Sequence, residues 1–448
     1  MSLLNSFIEY NSPFLEFIRL QNFMGFQQWE SELKDITVII GNNTKGKTTV
    51  LNGVQVALGV FLQCIGELPR KAVYRRKIQE DERFCKFDAF SKGYLYNEEK
   101  TEVFVRSSLK DPYGFERPLQ WSQEYPDASR NQNRFASVQR FVNTILESRR
   151  PLNEDLIISE KCVLPVLLSF GTNRLSSQMR MNKETSERMT RIQKAYKAAL
   201  TEKVDFASAH GWFLNAEKNI RSGREFEGTR QAFINALKTA IPYISEIDVD
   251  WAYGELEAVV NIDEQKSRHR FSQLSDGFKS MINLVAEISH RSIELNGFLG
   301  ESAILKTPGV VLIDEIDLYL HPKWQRHVLA DLKKAFPLVQ FIVTTHSPFV
   351  IQSVSRESLI ALDDELVGEN NQMASLEDVA IKFMGMTENT RRSEKYNEMV
   401  RLATEYFEII KNGRELTLEQ EERLNEIEAE NSSDPAYVAL LRAERTTR

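Results

Sequence analysis

The plainest pattern along the chain is a set of short β-branched runs, each ending in a polar or glycine-rich turn. ITVIIG, from Ile36 to Gly41, is one of them. An unbroken apolar run of this length predicts a strand buried on both faces. VLPVLLSFG from Val163 to Gly171, VVLIDEID from Val310 and FIVTTHS from Phe341 repeat it. FLEFIRLQNF from Phe14 alternates instead, as a strand with one buried face does. Residues 84–122 read as further strands, with TEVFVRSSL, DPYG and FERPLQW as a hairpin signal; IDVDW, AYGE and LEAVVNID give a second hairpin. Helices are predicted over Thr48–Leu62 and after the Ser275–Gly277 turn. Strands alternating with helices in this way imply an α/β fold around a mainly parallel sheet.

Two stretches depart from that rhythm. Residues 176–243 are polar, helix-forming and sparse in glycine, with no proline before Pro242, which predicts a helical insertion. After residue 370 the chain is helical again, with Tyr396, Met399, Val400, Ala403, Phe407 and Ile410 on one face. Gly413 can end that helix, Thr417 with Gln420 forms a capping-box start, and Asp434-Pro435 gives another. This tail suits either a cap over the core or a partner-binding element. The expected organisation is a first α/β lobe over 1–175, a helical insertion over 176–245, a second α/β lobe over 246–365 and a helical region over 366–448.

Composition narrows the picture little. The 448 residues carry a formal charge of −7, which argues against an all-basic surface and leaves room for a local basic groove. Arg70, Lys71, Arg75, Arg76 and Lys77 around Tyr74 form one basic cluster. Arg180, Lys183, Arg188, Arg191, Lys194 and Lys197 form another. Each can meet nucleic-acid phosphates or serve as a solvated helix face. The N-terminus lacks a signal-peptide pattern, and the best apolar stretch, Val54–Ile65, is too short to span a bilayer and contains Gln55 and Gln63. The three cysteines Cys64, Cys85 and Cys162 give neither a disulfide framework nor a metal pattern, as expected of a cytoplasmic protein without membrane contact.

The chemistry lies in four motifs. Gly41-Asn42-Asn43-Thr44-Lys45-Gly46-Lys47-Thr48, followed by Thr49, fits the phosphate-binding loop GxxxxGK[ST] without a gap. It stands between a predicted buried strand and a predicted helix, where successive N–H groups and a helix N-terminus face an anion. Lys47 can reach the outer phosphates of ATP, and the Thr48 hydroxyl can bind Mg²⁺. Val310–Ile313 ends in Asp314, placed to hold Mg²⁺, and Glu315, placed to orient the attacking water. Leu274-Ser275-Asp276-Gly277-Phe278-Lys279 opens a helix and offers Ser275 and Gly277 as a second anion site. His346 ends the strand from Phe341, one helix and one strand after Glu315, and Asp317 follows Glu315 closely. No residue group resembles a second metal centre, and the six histidines form no nuclease-like cluster.

The order of these motifs resembles that of ABC ATPases and of SMC heads, which places Ser275 and Gly277 in the signature, His346 at the switch and Asp317 in the dimer-facing loop. This resemblance implies a P-loop ATPase of the ABC/SMC-head type that sandwiches ATP between two heads of a homodimer or higher homo-oligomer. It departs from the LSGGQ signature at Asp276, Phe278 and Lys279. It also lacks a glutamine after Val163–Phe170, where Asn173 or Arg174 could stand in. Phe26 or another aromatic of Asn22–Phe26 could pack on adenine. GNNTKGKTTVL, LSDGFKS, VVLIDEIDLYLHP and TTHSPFVI, less specifically Leu164-Pro165 and Gly171–Arg174, look most like the ATPase subunit of Septu-type antiphage systems, including retron-associated relatives. That resemblance implies a separate HNH-type nuclease subunit and, in retron-linked members, a reverse transcriptase with its RNA–DNA. Three other classes share parts of the pattern. For an SMC or recombination-type repair ATPase the insertion is too short for a coiled-coil arm. Against an ABC-transporter subunit stand the polar insertion and the long tail. An overcoming-lysogenisation-type nuclease needs a later Asp-x-Asp after Asp363-Asp364-Glu365, which the sequence lacks.

Overall fold

The computed structural model describes residues 14–88, 92–97, 99–111, 115–126, 135–148, 163–175, 189–201, 207–222, 227–262, 265–363, 372, 379, 394–412 and 417–430. Cys162, Arg180, Lys183, Arg188, Asp364, Glu365, Gly413 and Asp434-Pro435 lie outside them.

Strands β1 (Leu15–Phe23), β2 (Phe26–Glu32) and β3 (Ile36–Ile40) lead into helix α1 (Lys47–Cys64). A hairpin of β4 (Cys85–Asp88) and β5 (Gly93–Tyr96) follows, then a longer one of β6 (Thr101–Asp111) and β7 (Phe115–Tyr125). Helix α2 (Ala136–Ser148) precedes β8 (Val166–Phe170). The predicted insertion holds α3 (Arg191–Tyr196), α4 (Ala207–Arg221) and α5 (Glu227–Ala240). Then come β9 (Ile244–Asp250), β10 (Glu255–Ile262), β11 (Gln265–Arg270) and the long α6 (Asp276–Asn296). The last part alternates: β12 (Gly309–Ile313), α7 (Pro322–Gln325), α8 (Val328–Ala335), β13 (Val339–Thr344), α9 (Pro348–Ser353) and β14 (Leu359–Ala361). Helices α10 (Glu394–Asn412) and α11 (Leu418–Glu430) close the described chain.

Five strands form the central sheet in the order β14-β3-β13-β12-β8, every neighbouring pair parallel. The apolar runs fall here, and β8, β12 and β13 are buried at every position, as a sheet covered on both faces requires. A second, antiparallel sheet has the order β2-β1-β6-β7. Helix α1 lies between the two sheets and contacts both. From Val50 to Leu62 it is buried at every position except Asn52, so its apolar character all round is a consequence of place. Three contacts fix it there. Trp121 Nε1 donates to the Ala57 carbonyl at 2.9 Å, Gln55 Nε2 donates to Ser169 Oγ at 2.9 Å, and a Cβ at Gly59 would lie 2.2 Å from the Arg76 carbonyl oxygen. Truncating a fully buried leucine such as Leu58 or Leu312 to alanine in such a core costs about 2–5 kcal/mol.

The insertion helices do not project as an arm. Helices α3, α4 and α5 each pack on α6, and Tyr196, Phe213 and Phe233 join the same apolar core as the central sheet. Helices α10 and α11 pack on each other through Leu402, Tyr406, Ile410, Leu424 and Ile427. The Thr417–Gln420 capping box is formed in both directions.

Because the central strands are parallel, their C-terminal ends share one edge. Gly41 follows β3, Gly171–Arg174 follow β8, Asp314 and Glu315 follow β12, Thr345 and His346 follow β13, and Leu362 and Asp363 follow β14. In open parallel sheets this edge is where ligands bind.

Candidate active site

The phosphate loop starts from the fully covered end of β3 and emerges into solvent at Asn42–Lys45. Gly46 is left-handed (φ 96°), and a Cβ there would lie 2.7 Å from the Phe26 ring, so glycine is required by conformation and by space. Phe26 in turn stacks on Trp29, ring centroids 5.5 Å apart. Lys47 bends back over the loop, donating to the carbonyls of Gly41 at 2.8 Å and Asn42 at 3.2 Å. Burial lowers its pKa, while Asp314, Glu315, Asp363 and Asp317 oppose the shift. The ammonium therefore sits half-buried among acidic groups, where an incoming phosphate can replace carbonyl partners.

On the facing strand end, the Thr48 hydroxyl donates to Asp314 Oδ2 at 3.1 Å. Thr344, the last residue of β13, donates its hydroxyl to Asp314 Oδ1 at 2.5 Å and accepts the Glu315 N–H at 2.8 Å. Glu315 itself has φ 49°, an uncommon backbone state for a residue with a side chain. Thr48 and Asp314 are hard oxygen donors meeting across loop and sheet, the chemistry a magnesium ion takes while keeping several waters. They fit that ion.

One turn further on, Asp317 Oδ1 accepts the Thr345 hydroxyl at 2.5 Å and the His346 N–H at 3.4 Å. Gln325 ties this turn down from α7, donating to the carbonyls of Asp317 and Leu320 and accepting the Ser347 hydroxyl at 2.6 Å. The segment after Glu315 and the segment around His346 are thus one hydrogen-bonded unit. Ser275 caps α6 without any side-chain cap bond and is exposed. Gly277 is pressed against the Tyr319 carbonyl, 2.7 Å from where its Cβ would be. Gly277 is itself buried under that carbonyl, while the Tyr319 residue is 45 % exposed.

Of the two residues offered in place of a glutamine, Arg174 reaches the site. Its buried guanidinium donates through Nη2 to the Glu315 carbonyl. Asp363 is a residue sequence reasoning did not place here. Its Oδ2 accepts the Asn42 N–H at 2.8 Å, and its Oδ1 pairs with Lys45 at 2.9 Å. Desolvation would raise its pKa, but the Asn42 N–H and Lys45 outweigh that and hold the carboxyl below its ordinary value. The first basic cluster is partly occupied internally: Arg76 is paired with Glu82, and Tyr74 is buried. Among the described residues no group of three His, Cys, Asp or Glu side chains is placed to hold a metal, and no helix is long and apolar enough to cross a membrane.

The chain resembles known proteins at three levels. It is 26 % identical over 440 residues to the "Retron Vc95 probable ATPase" of Vibrio cholerae serotype O1 biovar El Tor, covering 89 % of this chain and 84 % of that one. It is 41 % identical over 96 residues to the "Septu protein PtuA" of Bacillus thuringiensis, covering 20 % of this chain and 23 % of that one. An SMC head bound to the C-winged helix domain of ScpA superposes with a TM-score of 0.41 at 15 % identity, covering 80 % of this chain and 95 % of that one. Residues 36–352, from β3 through α9, match the family described as "AAA domain, putative AbiEii toxin, Type IV TA system". With its phosphate loop, its parallel sheet and a match over most of its length, the chain belongs to that AAA-domain family and is an ATPase.

Proposed function

We propose that this chain is the nucleotide-switched subunit of an antiphage defence assembly, binding and hydrolysing ATP to control a separate HNH-type nuclease. The observation that carries the ATPase part is the single hydrogen-bonded run Thr48–Asp314–Thr344–Glu315, which brings phosphate loop and acidic strand end together. Similarity to the retron and Septu proteins supports the defence context.

Phosphoryl transfer asks mainly for positioning and charge stabilisation. In this reading the loop N–H groups from Asn43 to Thr49 cradle the phosphates, and Lys47 leaves its carbonyl partners to meet the outer ones. Thr48 and Asp314 would hold Mg²⁺, which would supply charge neutralisation for the phosphates. Glu315 orients and polarises the attacking water, and His346 faces the transferred group from β13. Ser275 and Gly277 act on the nucleotide of the opposite head; the exposed Ser275 at the start of α6, whose side chain makes no cap bond, supports this. ATP then forms part of a homodimer interface, and its occupancy shifts the head-to-head equilibrium by linkage. In a retron-linked setting a reverse transcriptase with its RNA–DNA completes the assembly.

Nucleotide titration combined with phosphate release tests the assignment. Lys47→Ala is expected to lose nucleotide binding, and Glu315→Gln to keep binding while turnover stalls. Undiminished turnover in Glu315→Gln defeats the role given to that carboxylate.

A further inference from the structure

Glu315 is held in its left-handed conformation from two sides. Its N–H donates to Thr344, and its carbonyl accepts from Arg174. A residue with a side chain at positive φ is strained and persists only where its surroundings fix it. Arg174 is only 2 % exposed, and burial lowers its pKa to about 10 despite Asp317, Asp314 and Glu315 nearby. Among the described residues its Nε has no hydrogen-bond partner. A buried guanidinium is costly unless opposite charges lie near it, and Asp317, Asp314 and Glu315 supply them here.

The backbone of Arg174 leads elsewhere. Its carbonyl accepts Asn283 Nδ2 of α6 at 3.1 Å, and Asn283 Oδ1 lies 3.1 Å from His210 Nε2 of α4. The pattern has one consistent direction. Asn283 donates with its nitrogen, so its oxygen must accept, and His210 must carry its proton on Nε2. Burial lowers the His210 pKa, opposed by the bond to Asn283, and Nδ1 is without a hydrogen-bond partner among the described residues. Both observations agree with a neutral ring protonated on Nε2.

Resting on the role proposed for Glu315, we infer that Arg174 is a positioning residue: its guanidinium sets the Glu315 peptide, and its carbonyl ties that setting through Asn283 and His210 to α6 and the insertion helix α4. The helix that begins at Ser275 and the strand end that carries Glu315 then move as one unit. Movement of α4 is thereby felt at the carboxylate.

Arg174→Lys keeps the charge and loses the planar fork, and it separates positioning from bulk stability. Turnover is expected to fall about 10- to 100-fold, as displacement of a reacting group by about an ångström produces. The dissociation constant for a fluorescent ATP analogue should stay within about twofold, because the phosphate loop is untouched. If Arg174→Lys does not fold, Asn283→Ala provides the second reading, with a smaller loss of turnover, again without loss of binding. Wild-type turnover in Arg174→Lys, or in Asn283→Ala where that is the variant read, overturns the inference, and so does a parallel loss of turnover and binding. Glu315→Gln measured alongside keeps the two claims apart. If it stalls while Arg174→Lys does not, the proposed function stands and the positioning role falls. If Glu315→Gln turns over normally, the role of Glu315 is the one that fails, and the positioning role falls with it.

Discussion

Asp363 grips the phosphate loop from a position 321 residues away in sequence, its carboxylate 2.8 Å from the Asn42 nitrogen. The same side chain pairs with Lys45, so one acid restrains two consecutive parts of the loop. Asp363→Ala leaves the Asn42 N–H without its acceptor and releases Lys45. ATP affinity is expected to fall several-fold, on the order of 1 kcal/mol, with turnover at saturation nearly unchanged. Because the Asp363 pKa lies below its ordinary value, the contact is present at neutral pH and is lost only as pH falls through that lowered pKa. The affinity ratio of wild type to Asp363→Asn should therefore stay constant between about pH 6 and 8. A ratio that drifts across that window refutes the assignment of a charged clamp.

Lys47 gives the opposite dependence. Burial lowers its pKa, so the ammonium deprotonates earlier on the alkaline side than a free lysine at about 10.4. In the role proposed for Lys47, nucleotide binding needs the charged form. Affinity should hold at neutral pH and decline as pH rises through the lowered pKa, and Lys47→Arg should move that decline to higher pH. Isothermal titration across the alkaline range checks this; an identical decline in Lys47→Arg counts against it.

Mixed dimers test the opposite-head arrangement. Lys47→Ala and Ser275→Arg chains are each expected to be inactive alone. In a mixed dimer one site joins an intact loop to an intact signature, so part of the phosphate release should return. Stable mixed dimers that recover nothing, beside an active wild type, rule the arrangement out.

Ser275 and Gly277 separate function from packing. Ser275 makes no cap bond and is exposed, so Ser275→Ala should shift thermal stability by no more than about 0.5 kcal/mol while reducing turnover. Gly277→Ala drives a methyl to 2.7 Å from a backbone oxygen of Tyr319. It should cost about 1–3 kcal/mol and lower turnover as well. Thermal melts beside phosphate release resolve the pair; a destabilised Ser275→Ala contradicts the first half.

What could be read in the sequence was whatever is contiguous. The phosphate loop announces itself because strand, glycines and helix follow one another, and the Asp314–Glu315 strand end because burial on both faces leaves an unbroken apolar run. β11 carries no apolar signal because QKSRHR is polar throughout and exposed over its first four residues, and β14 none because three residues carry no period. Asp363 was visible only as part of an acidic triplet, since nothing local links it to Asn42. The bond from Arg174 to the Glu315 carbonyl was equally closed to periodicity, since it spans 141 positions.

Thr344 has one hydroxyl proton, and that proton goes to Asp314, while the same oxygen receives the Glu315 N–H. A single atom of β13 thus indexes the Asp314 side chain and the Glu315 backbone, the two residues that follow β12. Sliding one strand past its neighbour loosens both contacts together, leaving Asp314 to Thr48 and the Glu315 backbone to Arg174. Valine at 344 would keep the shape of the strand and erase the index mark. In engineering language the two acids have one alignment pin, and strand registry, set far down the sheet by residues such as Val311 and Phe341, is the tolerance to which that pin is cut.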